Sequence, residues 1–135
     1  MKNFSIDTRS LKKGDYFVAI KGVTFNGHNF IDEAIRKGAS GVIIDKQHEN
    51  VSVPSHIKKI ITPNTGEFLA EKAASIIKKR KIKLVGVTGS VGKTSTKTAI
   101  KTLISPFYKV SESIGNFNTL LGISLSILNS VETDP

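Results

Sequence analysis

Neither cysteine nor tryptophan occurs in the 135 residues. Without thiols, a disulfide framework, a thiolate zinc site and a cysteine nucleophile are all excluded. The three histidines, His28, His48 and His56, are scattered along the chain, which speaks against a histidine metal cluster. No apolar run approaches the roughly twenty residues of a membrane span, and the opening Met1-Lys2-Asn3-Phe4-Ser5 lacks the apolar stretch of a signal peptide. The expectation is a cytoplasmic protein without membrane insertion. Acidic residues are also short: 11 against 20 Lys plus Arg, leaving a net charge of +9. That excess suits a lysine-rich solvated surface or an anionic partner. Aromatics at 7%, and no helix-turn-helix or stacking-sheet signature, argue against nucleic acid as that partner.

Hydrophobic residues make up 39% of the chain, enough for one domain or two small ones with a real core. Strand-like runs fall at Tyr16–Ile20, Gly41–Ile44, Ile57–Ile61, Leu84–Val87 and Tyr108–Val110. Helical spacing appears between them. Phe30, Ile31, Ala34 and Ile35 form one short stripe closed by Gly38, and Phe68, Leu69, Ala73, Ile76 and Ile77 form a longer one within Gly66–Arg80. Further helices are predicted over Lys93–Ile104 and Leu120–Leu128. Strands alternating with helices predict an α/β fold with a largely parallel sheet. The densest basic run, Lys78 to Lys83, ends a helix, where cations suit the helix dipole, and an apolar strand-like segment follows. A domain boundary is placed there, dividing 1–80 from 81–135.

The segment that carries chemistry is Thr88-Gly89-Ser90-Val91-Gly92-Lys93-Thr94-Ser95. It joins an apolar segment to a helix. Gly89 and Gly92 let several backbone N–H groups face one concavity, and the helix start adds the positive end of its dipole. The Lys93 ammonium is placed to reach the β- and γ-phosphates of a nucleotide, and the Thr94 hydroxyl to ligate Mg²⁺. Glycine at position 87 would complete the usual Gly-x₄-Gly-Lys-Thr spacing, and Val87 stands there instead. ATP with Mg²⁺ is the expected cofactor pair, and Lys93 and Thr94 are the expected catalytic residues.

These residues resemble the shifted phosphate loop of the Mur ligase family, T-G-[ST]-x-G-K-[ST], which tolerates that missing glycine. Asp7-Thr8-Arg9, then Lys13-Gly14-Asp15-Tyr16-Phe17-Val18-Ala19, then Gly22, then Gly27-His28-Asn29-Phe30-Ile31 and Ala34, resemble the same family's N-terminal motifs, with Lys13 where proline is usual. Gly115-Asn116-Phe117-Asn118, followed by Gly122, is similar to the segment found in members that add D-alanyl-D-alanine, with Ser124 where proline is usual.

The resemblance implies a small N-terminal α/β substrate domain and the start of a P-loop parallel-sheet ATPase domain. It implies ATP-dependent amide synthesis in peptidoglycan precursor synthesis, with UDP-N-acetylmuramoyl tripeptide and D-alanyl-D-alanine as substrates joined through an acyl phosphate. Asp7, Thr8 and Arg9 would serve the uridine nucleotide end, and Asn116 and Asn118 the muramoyl-peptide side. The alternatives are a ligase adding the third stem residue and a non-catalytic nucleotide-binding module. The family's metal-binding glutamate strand and third domain find no counterpart among these residues. The expectation is a fragment, inactive alone, with apolar surface uncovered in its C-terminal half and with a complementing C-terminal chain as a possible partner.

Overall fold

The computed structural model describes residues 3–113 and 119–130. Among the described residues there is one sheet, parallel throughout, in the order β1 (Phe4–Ser5), β2 (Tyr16–Val18), β3 (Gly41–Asp45) and β4 (Lys58–Thr62). The helices are α1 (Ile31–Arg36), α2 (Thr65–Arg80), α3 (Lys93–Ile104) and α4 (Leu120–Ser130). Short 3-10 turns lie at Gly27–Phe30 and Lys46–His48. Among the described residues, no helix is long and apolar enough to cross a membrane.

Both faces of the sheet are covered, which is why its central strands read as unbroken apolar runs. Residues alternate between the faces: Val18 and Ile43 point one way, and Phe17, Ala19, Val42 and Ile44 the other. The first set joins Leu69, Ala73 and Ile76 of α2 and Leu125 and Leu128 of α4. The second joins Ile31 and Ala34 of α1 with Ala39 and Ile57. Gly41 pairs with Tyr16 and Lys58 across the sheet, and a Cβ there would lie 2.3 Å from the Tyr16 ring, so only glycine fits.

Local signals set the helix ends. Asn64 caps α2, its Oδ1 accepting from Gly66 N at 2.9 Å and Glu67 N at 3.1 Å, and Lys78, Lys79 and Arg80 fill the last turn. Gly38 ends α1 at φ +88°, with its N–H bonded to Ile35 O and that of Ala39 to Ala34 O.

Two expected strands are absent. Leu84–Val87 and Tyr108–Val110 carry no strand pairing, and Leu84, Val85 and Tyr108 are exposed. A strand exists only as part of a ladder, and no described segment lies alongside to complete one. The two-residue β1, too short to show a period, was not expected. Helix α4, assigned by sequence to the second unit, is built into the core of the first: beside Leu125 and Leu128, Asn129 Oδ1 accepts from Phe4 N at 2.8 Å and its Nδ2 donates to Phe4 O at 2.9 Å. This side-chain amide completes the outer edge of β1.

Candidate functional site

The phosphate-loop residues converge at the start of α3. Gly92 is the N-cap of that helix at φ +80°, a left-handed conformation that glycine adopts without a steric penalty. Gly89 also has positive φ, at +150°. Among the described residues no side chain caps α3, whose N-cap Gly92 has none to offer. The Lys93 ammonium donates to the Gly89 carbonyl, spanning the loop from helix to turn. Thr94 and Ser95 follow on the first turn, both exposed. A single accessible hydroxyl such as that of Thr94 suits Mg²⁺, which keeps most of its water when bound beside phosphates. Two further lysines of α3 tie down the segment after it: Lys97 Nζ donates to Ser113 O at 2.6 Å, and Lys101 Nζ bonds Glu112 Oε1 at 3.0 Å.

The Asp7-Thr8-Arg9 triplet forms a self-contained turn. Asp7 Oδ1 accepts from Arg9 N at 2.8 Å, and the Arg9 guanidinium grips the same carboxylate with contacts of 3.0, 3.0 and 2.7 Å. That hydrogen bond, with the guanidinium charge, holds the Asp7 carboxyl below the usual carboxylate range. Thr8 faces inward, its hydroxyl donating to Glu33 Oε1 at 2.9 Å while Lys37 Nζ donates to Thr8 O at 2.9 Å. The Lys37 and Thr8 hydrogen bonds lower the Glu33 carboxyl as well. The triplet is thereby fastened to α1, with the Arg9 side chain outward and 87% exposed. Asn116 and Asn118 lie outside the described residues.

A concavity of about 510 Å³ opens over the loop from Lys21 to Phe30, which contributes its whole lining. Phe25 and Phe30 present exposed rings, and Lys21 adds a cation. The loop is a narrow hairpin: Lys21 bridges Asn26, Gly22 N donates to Phe25 O at 2.9 Å, and Gly27 N donates to Ile20 O at 2.8 Å. Gly27 lies so close to Ile20 that a Cβ would stand 2.7 Å from its backbone. Of these lining residues, Gly22, Asn29 and Phe30 belonged to a sequence motif. The signal available was the aromatic and basic content of a glycine-flanked loop.

The fold also overturns the scattering of the histidines. His28 and His48 stack with ring centroids 3.8 Å apart, and Asp45 touches both. Burial lowers the His28 pKa against the opposing charge of Asp45, with His48 and Lys21 adding to the decrease. Burial alone would raise the Asp45 carboxyl, but the hydrogen bond and charges of the two histidines hold it below the ordinary range.

Comparison with known proteins bears on both halves. A family model described as "Mur ligase family, catalytic domain" matches residues 1–85, and one described as "Mur ligase middle domain" matches 87–135. The chain is 39% identical over 126 residues to the UDP-N-acetylmuramoyl-tripeptide–D-alanyl-D-alanine ligase of Rickettsia prowazekii, covering 93% of this chain and 27% of that protein. It is 40% identical over 106 residues to the UDP-N-acetylmuramoyl-L-alanyl-D-glutamate–2,6-diaminopimelate ligase of Clostridium tetani, covering 77% of this chain and 22% of that protein. The crystal structure of the MurF ligase of Thermotoga maritima in complex with ADP superposes with a TM-score of 0.75 at 38% identity, covering 94% of this chain and 29% of that one.

Proposed function

The chain belongs to the Mur ligase family, and from that premise we propose that it carries the sugar-nucleotide-holding unit and the phosphate loop of a ligase adding D-alanyl-D-alanine to UDP-N-acetylmuramoyl tripeptide. The observation that carries this reading is the loop at 88–95, where positive-φ glycines, a helix start, Lys93 and Thr94 assemble as nucleotide phosphates require. The ADP complex of the Thermotoga maritima relative and the identity of the Rickettsia prowazekii relative as a D-alanyl-D-alanine ligase support it. Residues 1–80 are the substrate unit and 81–135 the start of the ATP unit, with α4 returning to pack on the first.

In this reading the loop amides and Lys93 hold the β- and γ-phosphates and offset charge as the phosphoryl group leaves. Thr94 is the residue that would hold Mg²⁺, which supplies further neutralisation when bound. The tripeptide carboxylate takes the γ-phosphoryl group and ADP departs. The amine of D-alanyl-D-alanine then displaces phosphate from that acyl phosphate, losing a proton as the amide forms. The concavity at 21–30 is the seat for the uridine nucleotide end, with aromatic faces for a base and Lys21 for phosphate. Asp7, Thr8 and Arg9 serve the same end, Arg9 through its outward guanidinium. Asn116 and Asn118 serve the muramoyl-peptide side.

Calorimetric titration of the chain and its Lys93→Ala variant tests the assignment. The sugar nucleotide is expected to bind both proteins and Mg·ATP only the one retaining Lys93. Equal ATP affinity in the two would overturn it. The Clostridium tetani relative favours a second reading, addition of the third stem residue. Tighter binding of the UDP-muramoyl dipeptide than of the tripeptide would select that reading.

A further inference from the structure

At the concavity at 21–30, which Asn26 lines, four side chains form a cluster to which the nucleotide reading assigns no role. Asn26 and His28 come from the loop and its 3-10 turn, and Asp45 and His48 from the end of β3 and the turn beyond it. Their protons can be assigned one at a time. Asn26 Oδ1 accepts from His28 N at 3.1 Å, which fixes the orientation of the amide. The same oxygen lies 2.7 Å from His28 Nδ1, so that nitrogen carries the ring's proton. His28 Nε2 accepts from Asp45 N at 3.2 Å and is therefore bare. Asp45 Oδ1 takes the 2.6 Å contact from His48 Nδ1, which places the second ring's proton there. His48 Nε2 is left as an acceptor facing Asn26 Nδ2 at 3.5 Å, the longest link, and the circuit closes where it began.

A metal does not fit this arrangement, although the ligand atoms of His28, Asp45 and His48 lie within 4.8 Å of one another. The rings are stacked with an interplanar angle of 13°, so their in-plane lone pairs run side by side. They cannot meet at a point about 2.0–2.1 Å from both nitrogens.

We propose that Asn26, His28, Asp45 and His48 form a positioning circuit that shapes the 21–30 loop while the His28 imidazole is neutral and releases it when that ring takes a second proton. A proton added at His28 Nε2 would face the Asp45 N–H at 3.2 Å and would draw the ring instead toward Asp45 Oδ2, 3.5 Å away, breaking the bond to the β3 backbone. The groups facing His28 are Asp45, which favours its charged form, and His48 and Lys21, which oppose it. Asn26 transmits the change because it caps the 3-10 turn, bridges Lys21 and lines the concavity. The consequence for ligand binding rests on the concavity's being the sugar-nucleotide seat; the circuit itself does not.

Nitrogen-15 NMR of the whole chain tests the circuit without ligand. At about pH 7.5 both His28 and His48 are expected in the Nδ1–H tautomer, with exposed His56 as internal reference. Amide exchange at Gly22 and Gly27, corrected for intrinsic rate, is expected to rise about tenfold on lowering the pH to about 5. His48→Gln, which keeps a donor and an acceptor, should preserve both the loop's protection at about pH 7.5 and the rise in exchange at about pH 5. An Nε2–H tautomer on either ring, or loop exchange that ignores pH, would overturn the proposal. In a parallel titration the affinity for UDP-N-acetylmuramoyl tripeptide should fall with the same transition. Failure to bind at every pH, with tautomers and exchange as expected, would refute the seat and leave the circuit standing.

Discussion

Residues 3–80 and 81–113 contain the same kinds of segment and reach opposite outcomes. In the first, α2 lays Leu69, Ala73 and Ile76 against a sheet that is covered on its other face by α1. In the second, α3 is as regular a helix, yet not one residue from 81 to 113 is buried. Leu103, Phe107 and Tyr108 stand in solvent at 71%, 79% and 63% exposure. What ties this region together is lysine: Lys97 to Ser113 and Lys101 to Glu112. Helix formation follows local pattern and end signals, whereas burial depends on a partner surface supplied elsewhere.

The largest test of this contrast is a pair of truncations. Leu69→Ala should cost about 2–5 kcal/mol, and Leu103→Ala less than about 0.5 kcal/mol, measured by denaturant unfolding. Comparable costs would mean that α3 is packed in solution and would break the comparison. Next is Asn129→Ala, which strips both hydrogen bonds from the edge of β1 and loosens α4; a loss of about 1–3 kcal/mol is expected in the same assay. An unchanged midpoint would show that α4 contributes nothing to the first region.

A smaller effect comes from pH. The His28 pKa lies below its ordinary value of about 6.5, so between the two values the unfolded chain binds the extra proton. The stability contribution is complete above about pH 6.5 and is lost as pH falls toward the folded-state value. Asp45, also lowered, adds a loss of the same sign below about pH 4. A thermal-melt series against pH should show the upper step in the native chain and not in His28→Gln. Smallest is Arg9→Ala, at a side chain 87% exposed. It should leave the unfolding midpoint where it was while weakening sugar-nucleotide affinity; loss of both together would make the triplet structural.

The contrast also explains what was legible in the sequence. Helices α1 and α2 announced themselves through apolar spacing, and Gly38 closed α1 through the backbone freedom that its φ of +88° requires. The glycine turn and helix start at 88–95 were legible because their signals are local: Gly89, Gly92, Lys93 and Thr94 lie within one turn and one helix start. Leu84–Val87 was misread because β-rich composition reports a residue's preference, and pairing needs a neighbour that composition does not mention. The His28–Asp45–His48 contact was invisible because β3 and its following turn bring together residues with no shared period. The docking of α4 was hidden for the same reason, its partner surface lying at the other end of the sequence.

The bonds between Asn129 and Phe4 join residues 125 positions apart. Chains grow from the N-terminus at roughly 5–20 residues per second, so β1 emerges seconds before the amide that finishes its edge. Until then the places of Leu125 and Leu128 against Val18, Ile43 and Leu69 stay open to water or to a chaperone. The final closure also belongs to the slow class of contacts, those between distant parts of a chain. The loop at 88–95 is therefore synthesised before the sheet that precedes it can be sealed.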